Sequence, residues 1–423
     1  MPGVGQGQGA VGRFFSYQVG LSVLLGLVGG LVFFDRNAIN FLSPFIVAEL
    51  KLSNAELGIV SSVVALTWAG AGYLVGRRSD RAGRRKPYYV AAIIAFSLCS
   101  MASGLTGGFL GLILTRLMMG AAEGPVPVLG NALLLGASTP SRRGLNMGIL
   151  SLSGILIGGP APLILVSVAT HLGWRAAFFF TGIPGLLAAI AVAKFVREAP
   201  VAGIAGTRLP ALGQARALDV LRVRNVWLCM AISSLIVAGT TVAMVFTPVF
   251  LVSQRHLKPA DMAMVMSVFG FASMAGPPII CVLSDRLGRK PVLIGFAILT
   301  AAALCSLYWA GTTTLLVATM AVAGFGAFLA VLSIAVIPAE SVADCDRGTA
   351  LGMAMGMAEM LGGFAAPALA GLAADRFGQN ILPAVAAGCV MAGALLSFAL
   401  TESAPRRTGA APILAIPALV PSE

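Results

Sequence analysis

Twelve times along this chain a run of about twenty residues passes with few or no charges: 17–46, 56–76, 88–106, 108–136, 145–171, 176–196, 225–252, 261–283, 291–310, 313–338, 349–373 and 380–400. Coiled as a helix, a run of that length matches the hydrocarbon thickness of a bilayer. A soluble fold is excluded, because 58% apolar and 10% charged residues leave too little charge to cover a surface and more apolar matter than one core holds. The expected fold is an all-α membrane protein with twelve transmembrane helices. Glycine and proline inside several runs are tolerated in such helices.

Lys and Arg outnumber Asp and Glu by 28 to 16, a balance that in a soluble protein would raise nucleic-acid binding. Here the basic residues sit in short loops, and topology accounts for them. With the N-terminus cytoplasmic, 21 of the 28 fall on the cytoplasmic side, 5 on the other, and Arg36 and Arg116 inside spans. The positive-inside rule then places both termini in the cytoplasm of a multi-pass protein of the inner or plasma membrane. Nucleic acid is not expected as a partner; the lipid bilayer is. The run after the Gly-rich segment Met1–Arg13 is too long for a signal-peptide core, so that segment is expected to stay attached. Six dispersed cysteines predict neither a disulfide nor a metal site, and no cofactor is expected.

The longest connection, 197–224, is Arg-rich and divides six spans from six. It predicts a bundle over 1–196, a cytoplasmic linker over 197–224, a second bundle over 225–405 and a tail over 406–423. A repeat supports the cut. Ser79-Asp80-Arg81-Ala82-Gly83-Arg84-Arg85-Lys86-Pro87 returns as Ser284-Asp285-Arg286-Leu287-Gly288-Arg289-Lys290-Pro291, with Asp80 and Asp285 205 residues apart. Six is even, so both halves enter the membrane in the same sense and form parallel repeats about the membrane normal.

Two six-helix halves with D-R-x-G-R-[RK] after the second and eighth spans resemble the major facilitator superfamily of secondary transporters. The first copy matches that family's G-x-x-x-D-R-x-G-R-[RK] signature from Gly76 to Arg85; the second has Cys281 in place of the glycine. The loop reads as a charge lock, in which Gly76, Asp80, Arg81, Gly83, Arg84, Asp285, Arg286 and Arg289 hold helix ends together in one conformation and release them in the other. A narrower likeness lies in Phe34-Asp35-Arg36-Asn37-Ala38-Ile39-Asn40, in Arg116-x6-Glu123-Gly124-Pro125 and in Gly173-Trp174-Arg175. It is similar to the anion:cation symporter family, which carries sugar acids and other organic anions, commonly with protons. Arg197-Glu198-Ala199-Pro200 and Thr401-Glu402-Ser403-Ala404-Pro405 fit the same family. Gly154 to Pro162 resembles the Gly-Pro kink of proton antiporters in the superfamily, which supports an alternative, a proton-coupled drug exporter.

Of the 16 acidic residues, Asp35, Glu123 and Glu359 lie well inside spans. A charge at mid-membrane costs about 2.5–3.5 kcal/mol on insertion scales, so such groups face a cavity, a partner or an ion path. Counted at 1.5 Å per residue from the ends of their spans, Asp35 lies roughly 16 Å deep, Arg116 roughly 12 Å and Glu123 roughly 22 Å. Arg116 and Glu123, seven apart, share one face of their helix; Asp35 and Arg36 diverge by about 100°. An ionised Glu123 or Asp35 paired with Arg36 would withhold its guanidinium, and protonating the acid would free the fork for a carboxylate. Proton and anion binding would then assist each other, as linkage requires. Asp35 and Glu123 are therefore the expected proton-coupling residues. Arg36, Arg116, Asn40, Tyr73 and Asn131 are the expected substrate-binding ones, with Asn37, Trp68, Asn146, Thr240, Thr241 and Thr247 as softer candidates. Glu359 could bind substrate hydroxyls, hold a second proton or cap a Gly-rich interface.

The expected function is proton-coupled symport of a small organic anion by alternating access, in a monomer. The chain is not expected to be an enzyme: it has no phosphate loop to drive transport with ATP and no nucleophile-base pair at membrane depth. Arg36 and Arg116 speak against the exporter, since a lipophilic cation needs no arginine.

Overall fold

The structure, a computed structural model, describes residues 5–198, 217–327, 329–343 and 346–404, apart from the side chains of 5–16, 140, 217 and 218. Most of the expected linker and the whole of the expected tail lie outside the described residues. Twelve helices stand where the apolar runs predict them: α1 Gly5–Leu50, α2 Asn54–Ala82, α3 Lys86–Gly104, α4 Phe109–Ala137, α5 Arg143–Leu172, α6 Trp174–Phe195, α7 Arg224–Ser253, α8 Pro259–Leu287, α9 Arg289–Ser306, α10 Thr313–Ser341, α11 Arg347–Phe377 and α12 Ile381–Ser397. Among the described residues eleven are long and apolar enough to cross a membrane, and α12 adds a final turn through Leu400.

The helices bend where their sequences force it. Pro125 and Pro160 lack an amide proton and clash with the carbonyl four residues back, so α4 breaks at Gly124 and α5 at Gly159–Pro160. Two stretches widen into π-helix, Leu332–Val336 in α10 and Ala358–Ala365 in α11; such insertions concentrate at functional positions. Ser53 and Glu56 close a reciprocal capping box on α2, with Ser53 Oγ accepting from the Glu56 amide at 3.1 Å and Glu56 Oε2 from the Ser53 amide at 2.9 Å.

The same helix pairs recur in both halves: α1 on α5 and α7 on α11, α2 on α4 and α8 on α10, α3 on α6 and α9 on α12. Close approach rather than hydrophobicity selects their contact residues, because lipid tails are as apolar as the helices. A β-carbon at Gly124 would sit 2.0 Å from the Trp68 carbonyl oxygen, which is why α4 carries glycine where it crosses α2.

The halves meet along α2–α11, α5–α8 and α1–α7. One face of the molecule holds the paired Asp-Arg loops and is called the basic face here. On the opposite face the α2–α11 seam is shut: the Asp375 carboxylate accepts from the Asn54 amide at 2.9 Å, from Asn54 Nδ2 at 2.8 Å and from the Ala55 amide at 2.9 Å, and Gln379 Nε2 donates to Asn54 Oδ1 at 2.8 Å. Backbones touch there, since a β-carbon at Gly58 would lie 2.2 Å from the Pro367 carbonyl oxygen. Toward the basic face the same seam parts. Ser62 on α2 is buried, whereas Tyr73, eleven residues on and on the same side of the helix, is 65% exposed. Gly363 on α11 packs against Ala65, but Gly356 and Gly352 below it have open space around them. A chamber thus lies between the bundles, closed to the opposite face and open to the basic one.

Candidate functional site

The intramembrane charges do not gather at one point of that chamber. Asp35 on α1 is buried and turned into its own bundle, where its Oδ1 accepts from Ser100 of α3 and, at 3.1 Å, from Thr181 of α6; Oδ2 has no partner. The Ser100 and Thr181 hydroxyl oxygens also lie within hydrogen-bond distance of each other, so two hydroxyls from two helices surround this carboxyl. α1 runs to Leu50 rather than ending at 46. The same count of rise that predicted roughly 16 Å now sets Asp35 about 22 Å from the helix end, level with Glu123.

Arg116 and Glu123 do share a face of α4, and both are fully buried. The Arg116 guanidinium lies over the Phe178 ring of α6 at 5.4 Å, and its Nη1 bonds the Met119 sulfur at 2.9 Å, leaving Nε and Nη2 unpaired. Asp35 and Glu123 are within electrostatic reach of Arg116 but outside ion-pair distance among the described residues. Neither Glu123 oxygen has a hydrogen bond among the described residues. Arg116 was expected to bind substrate; in this conformation it is instead enclosed within the first bundle, its guanidinium meeting Phe178 of α6 while Gly120 and Gly124 on the adjoining side of α4 pack against α2.

Arg36, the neighbour of Asp35, points the other way, as the 100° step predicts. It is one-third exposed in the chamber, over the Trp68 ring of α2 at 5.3 Å. Its ion-pair partner is neither Asp35 nor Glu123 but Glu359 of α11, with Nη2 to Oε2 at 4.0 Å across the bundles. In this conformation the acid within ion-pair distance of Arg36 thus comes from the second bundle, while Glu123 remains within electrostatic reach of it.

The softer polar candidates divide. Tyr73 lies on the parted part of the seam, and Asn131 is half-buried on the lower part of α4. Asn40 is buried and spends its Nδ2 on Asn37 Oδ1 at 3.3 Å, with Oδ1 unpartnered. Asn146 joins helices instead of lining a path: its Nδ2 bonds Ser138 at 2.7 Å and Gln18 at 3.3 Å. Thr240 bonds back to the Ile236 carbonyl of its own helix at 2.9 Å.

At the basic face Asp80 pairs with Arg85 at 2.9 Å, not with Arg84, and Asp285 pairs with Arg289, which also holds Glu340 of α10 at 2.8 Å. Arg81, Arg84 and Arg286 are exposed. Gly83 caps α2 in the left-handed conformation at φ 65°, and Gly76 is buried beside Val128 of α4. Glu198 and Glu402, which the sequence reading left as a family trait, have a physical task. Glu198 accepts from the Arg85 and Lys86 amides at the start of α3, and Glu402 from the Arg289 and Lys290 amides at the start of α9. Their spacing was the available signal: 198 less 80 is 118 and 402 less 285 is 117. Ser100, Thr181 and Asp375 carried no comparable mark.

The sequence matches the family model described as Major Facilitator Superfamily over residues 25–279 and 226–420. It is 32% identical over 179 residues to the hexuronate transporter of Bacillus subtilis, covering 42% of each chain. It is 26% identical over 382 residues to the 3-(3-hydroxy-phenyl)propionate transporter of Escherichia coli, covering 89% of this chain and 91% of that one. To the multidrug resistance protein MdtG of Proteus mirabilis it is 29% identical over 287 residues, 63% of this chain and 68% of that one. The chain spans under two thirds of the length of several curated relatives, 42% for the hexuronate transporter. Among solved structures, the D-xylose-proton symporter superposes with a TM-score of 0.72 at 18% identity, over 92% of this chain and 99% of that one, a likeness of fold.

Proposed function

This chain belongs to the Major Facilitator Superfamily, whose members are membrane transporters and not enzymes, and on that footing we propose that it takes up a small organic anion together with protons. The observation that carries the reading is Arg36: a guanidinium inside the chamber, partly open to solvent, held by a single acid at the limit of ion-pair distance. A guanidinium there offers a carboxylate two parallel charge-assisted hydrogen bonds where few other groups compete. Relatives that transport hexuronate and hydroxyphenylpropionate support an organic acid as cargo. The basic face is taken as cytoplasmic from its excess of Lys and Arg.

The proton site is assigned to the enclosed cluster of Asp35, Arg116 and Glu123. Within it Asp35 is pinned by Ser100 and Thr181, whereas Glu123 has both oxygens free to take a proton or to swing toward a cation. Arg116 is assigned a positioning role as the counter-charge to the two acids, and Arg36 binds the anion. Tyr73, Asn40 and Asn131 remain proposed contacts along the substrate's path. The paired loops at Asp80 and Asp285 are proposed to lock the basic face when the carrier opens the other way.

The multidrug relative gives the exporter reading one observation. Its cargo would be a lipophilic cation, which Arg36 repels. In proteoliposomes, Glu123→Gln should keep counterflow exchange but lose uphill uptake driven by a pH gradient, and full uphill uptake would remove Glu123 from the mechanism. In a thermal-shift screen of the purified protein, carboxylates should stabilise the wild type and not Arg36→Ala. Stabilisation by lipophilic cations instead would transfer the case to the exporter.

A further inference from the structure

Glu359 has no part in that scheme, yet it faces the residue the scheme depends on. It lies in the π-helical segment Ala358–Ala365 of α11, where the widened turn changes the register of the side chains. A β-carbon at Gly363 would sit 2.8 Å from its Oε2 and 3.6 Å from Ala65 Cβ of α2, so the carboxylate rests against bare backbone at the α2–α11 seam. That is the level at which the seam changes from shut to parted. No hydrogen bond to Glu359 is present among the described residues; its Oε2 is 4.0 Å from Arg36 Nη2, with the two side chains 24% and 33% exposed. The pair is loose, reachable by water, and tied between two bundles that move relative to each other.

Resting on the reading of Arg36 as the anion's anchor, we propose that Glu359 is a tethered stand-in for the substrate carboxylate, occupying Arg36 in the empty carrier and so excluding small anions. A carboxylate held beside its partner acts at an effective concentration on the order of millimolar. A free monocarboxylate such as acetate brings the same group to Arg36, must lose translational freedom to do so, and gains nothing Glu359 does not already supply. A larger acid that also touches the chamber walls adds contacts and displaces the stand-in. Selectivity then comes from a built-in competitor in a chamber open wide enough to admit any small acid. The charge count fits symport as well. Arg36 and Glu359 together are neutral, and an anion that takes Arg36 leaves one negative charge in the chamber, which a co-transported proton cancels.

The probe is acetate, titrated at pH 7 against the purified full chain while thermal unfolding is followed. Glu359→Gln, nearly isosteric but uncharged, should be half-maximally stabilised at an acetate concentration about tenfold below that of the wild type, and the double variant Arg36→Ala/Glu359→Gln should show no stabilisation. Glu359→Asp keeps the charge but withdraws it by one methylene, and should fall between wild type and Glu359→Gln; it also carries the test should Glu359→Gln fold poorly. Acetate titrations that coincide for wild type, Glu359→Asp and Glu359→Gln overturn the inference, as does stabilisation of Glu359→Gln that survives loss of Arg36. The parent reading fails separately, when galacturonate and 3-(3-hydroxyphenyl)propionate stabilise wild type and Arg36→Ala alike.

Discussion

Asp375→Asn should loosen the closed face of the carrier by a predictable amount, and no knowledge of the cargo is needed to see it. Three donors converge on the Asp375 carboxylate: two on Oδ1, from the Asn54 amide and side chain, and one on Oδ2, from the Ala55 amide, at 2.8–2.9 Å. Both amides belong to the first turn of α2, so the charge also meets the positive end of the helix dipole. An asparagine can keep its oxygen toward Asn54 but must then aim its NH2 at the Ala55 N–H, losing one charge-assisted bond and the charge itself. A hydrogen bond to a charged group is worth about 1.5–3 kcal/mol when buried and less at an exposed site such as this, and the dipole adds about 0.3–1 kcal/mol, so the net loss is about 1–2 kcal/mol. Because these bonds exist with the seam shut and must break for it to part, the loss raises the population open to this face about 5- to 30-fold. Ser62, buried in the seam, reports the opening: in a Ser62→Cys background, alkylation at position 62 by a membrane-impermeant maleimide, read by peptide mass spectrometry, should accelerate by that factor with Asp375→Asn. An unchanged rate would falsify the assignment of Asp375 as the latch on this face.

Three further outcomes follow from packing and capping. Gly124→Ala places a β-carbon 2.0 Å from the Trp68 carbonyl oxygen, and because backbone cannot yield as a flexible side chain can, the variant should lose several kcal/mol, visible as a collapsed monodisperse peak in size-exclusion chromatography of the solubilised protein. Glu402→Ala strips the acceptor from the Arg289 and Lys290 amides at the start of α9 and should cost about 1–2 kcal/mol, read as a lower thermal unfolding midpoint. Glu198→Ala should do the same to α3 by a similar amount, and a fall for one variant without the other would break the equivalence of the two halves.

Much of the architecture was legible because a bilayer leaves so few choices. Length and apolarity alone placed twelve helices, and the doubled Asp-Arg loop set the repeat that the paired contacts of both halves display. The site was legible in kind and not in direction. Sequence spacing put Arg116 and Glu123 on one face, and they share it; what spacing cannot say is whether that face looks at the chamber or at α6, because the rotation of a helix is set by small residues on its other sides. Gly120 and Gly124 press α4 against α2 at Val64, Thr67 and Trp68, and this contact fixes which way Arg116 points. Glu359 was visible as an intramembrane acid, but its partner lies in the other half of the chain, more than three hundred residues away, and no periodicity links the two. Hydroxyl partners such as Ser100 and Thr181 are invisible for a plainer reason: serine and threonine are common in membrane helices and mostly bond their own backbone.

The repeat also sharpens where the work of transport must be divided. Helix for helix, the second bundle reproduces the pairings of the first, down to the glutamate that caps the third helix of each half, yet it lacks the buried charges: Asp35, Arg116 and Glu123 stand in α1 and α4, while α7 and α10 place no ionisable residue at equivalent depth. Symmetry of fold without symmetry of charge means that a proton taken up by the first bundle can be felt by the second only through what touches it. The polar contacts between them include Arg36 with Glu359 at mid-depth and Asp375 on the first turn of α2 at the closed face, beside the apolar packing of α5 on α8. Both acids belong to α11, one on its π-helical segment and the other in its last turn. If coupling runs as proposed, α11 is the element whose position the bound anion alters, since displacing Glu359 removes the ion pair that ties it to α1 at mid-depth and leaves the seam to Asp375, Gln379 and the backbone packing at the closed face. A carrier so built should tolerate changes across α7 and α10 far better than any that stiffen α11, and straightening its widened turn by deleting Ala358 should abolish exchange and net uptake together while leaving the twelve helices in the membrane.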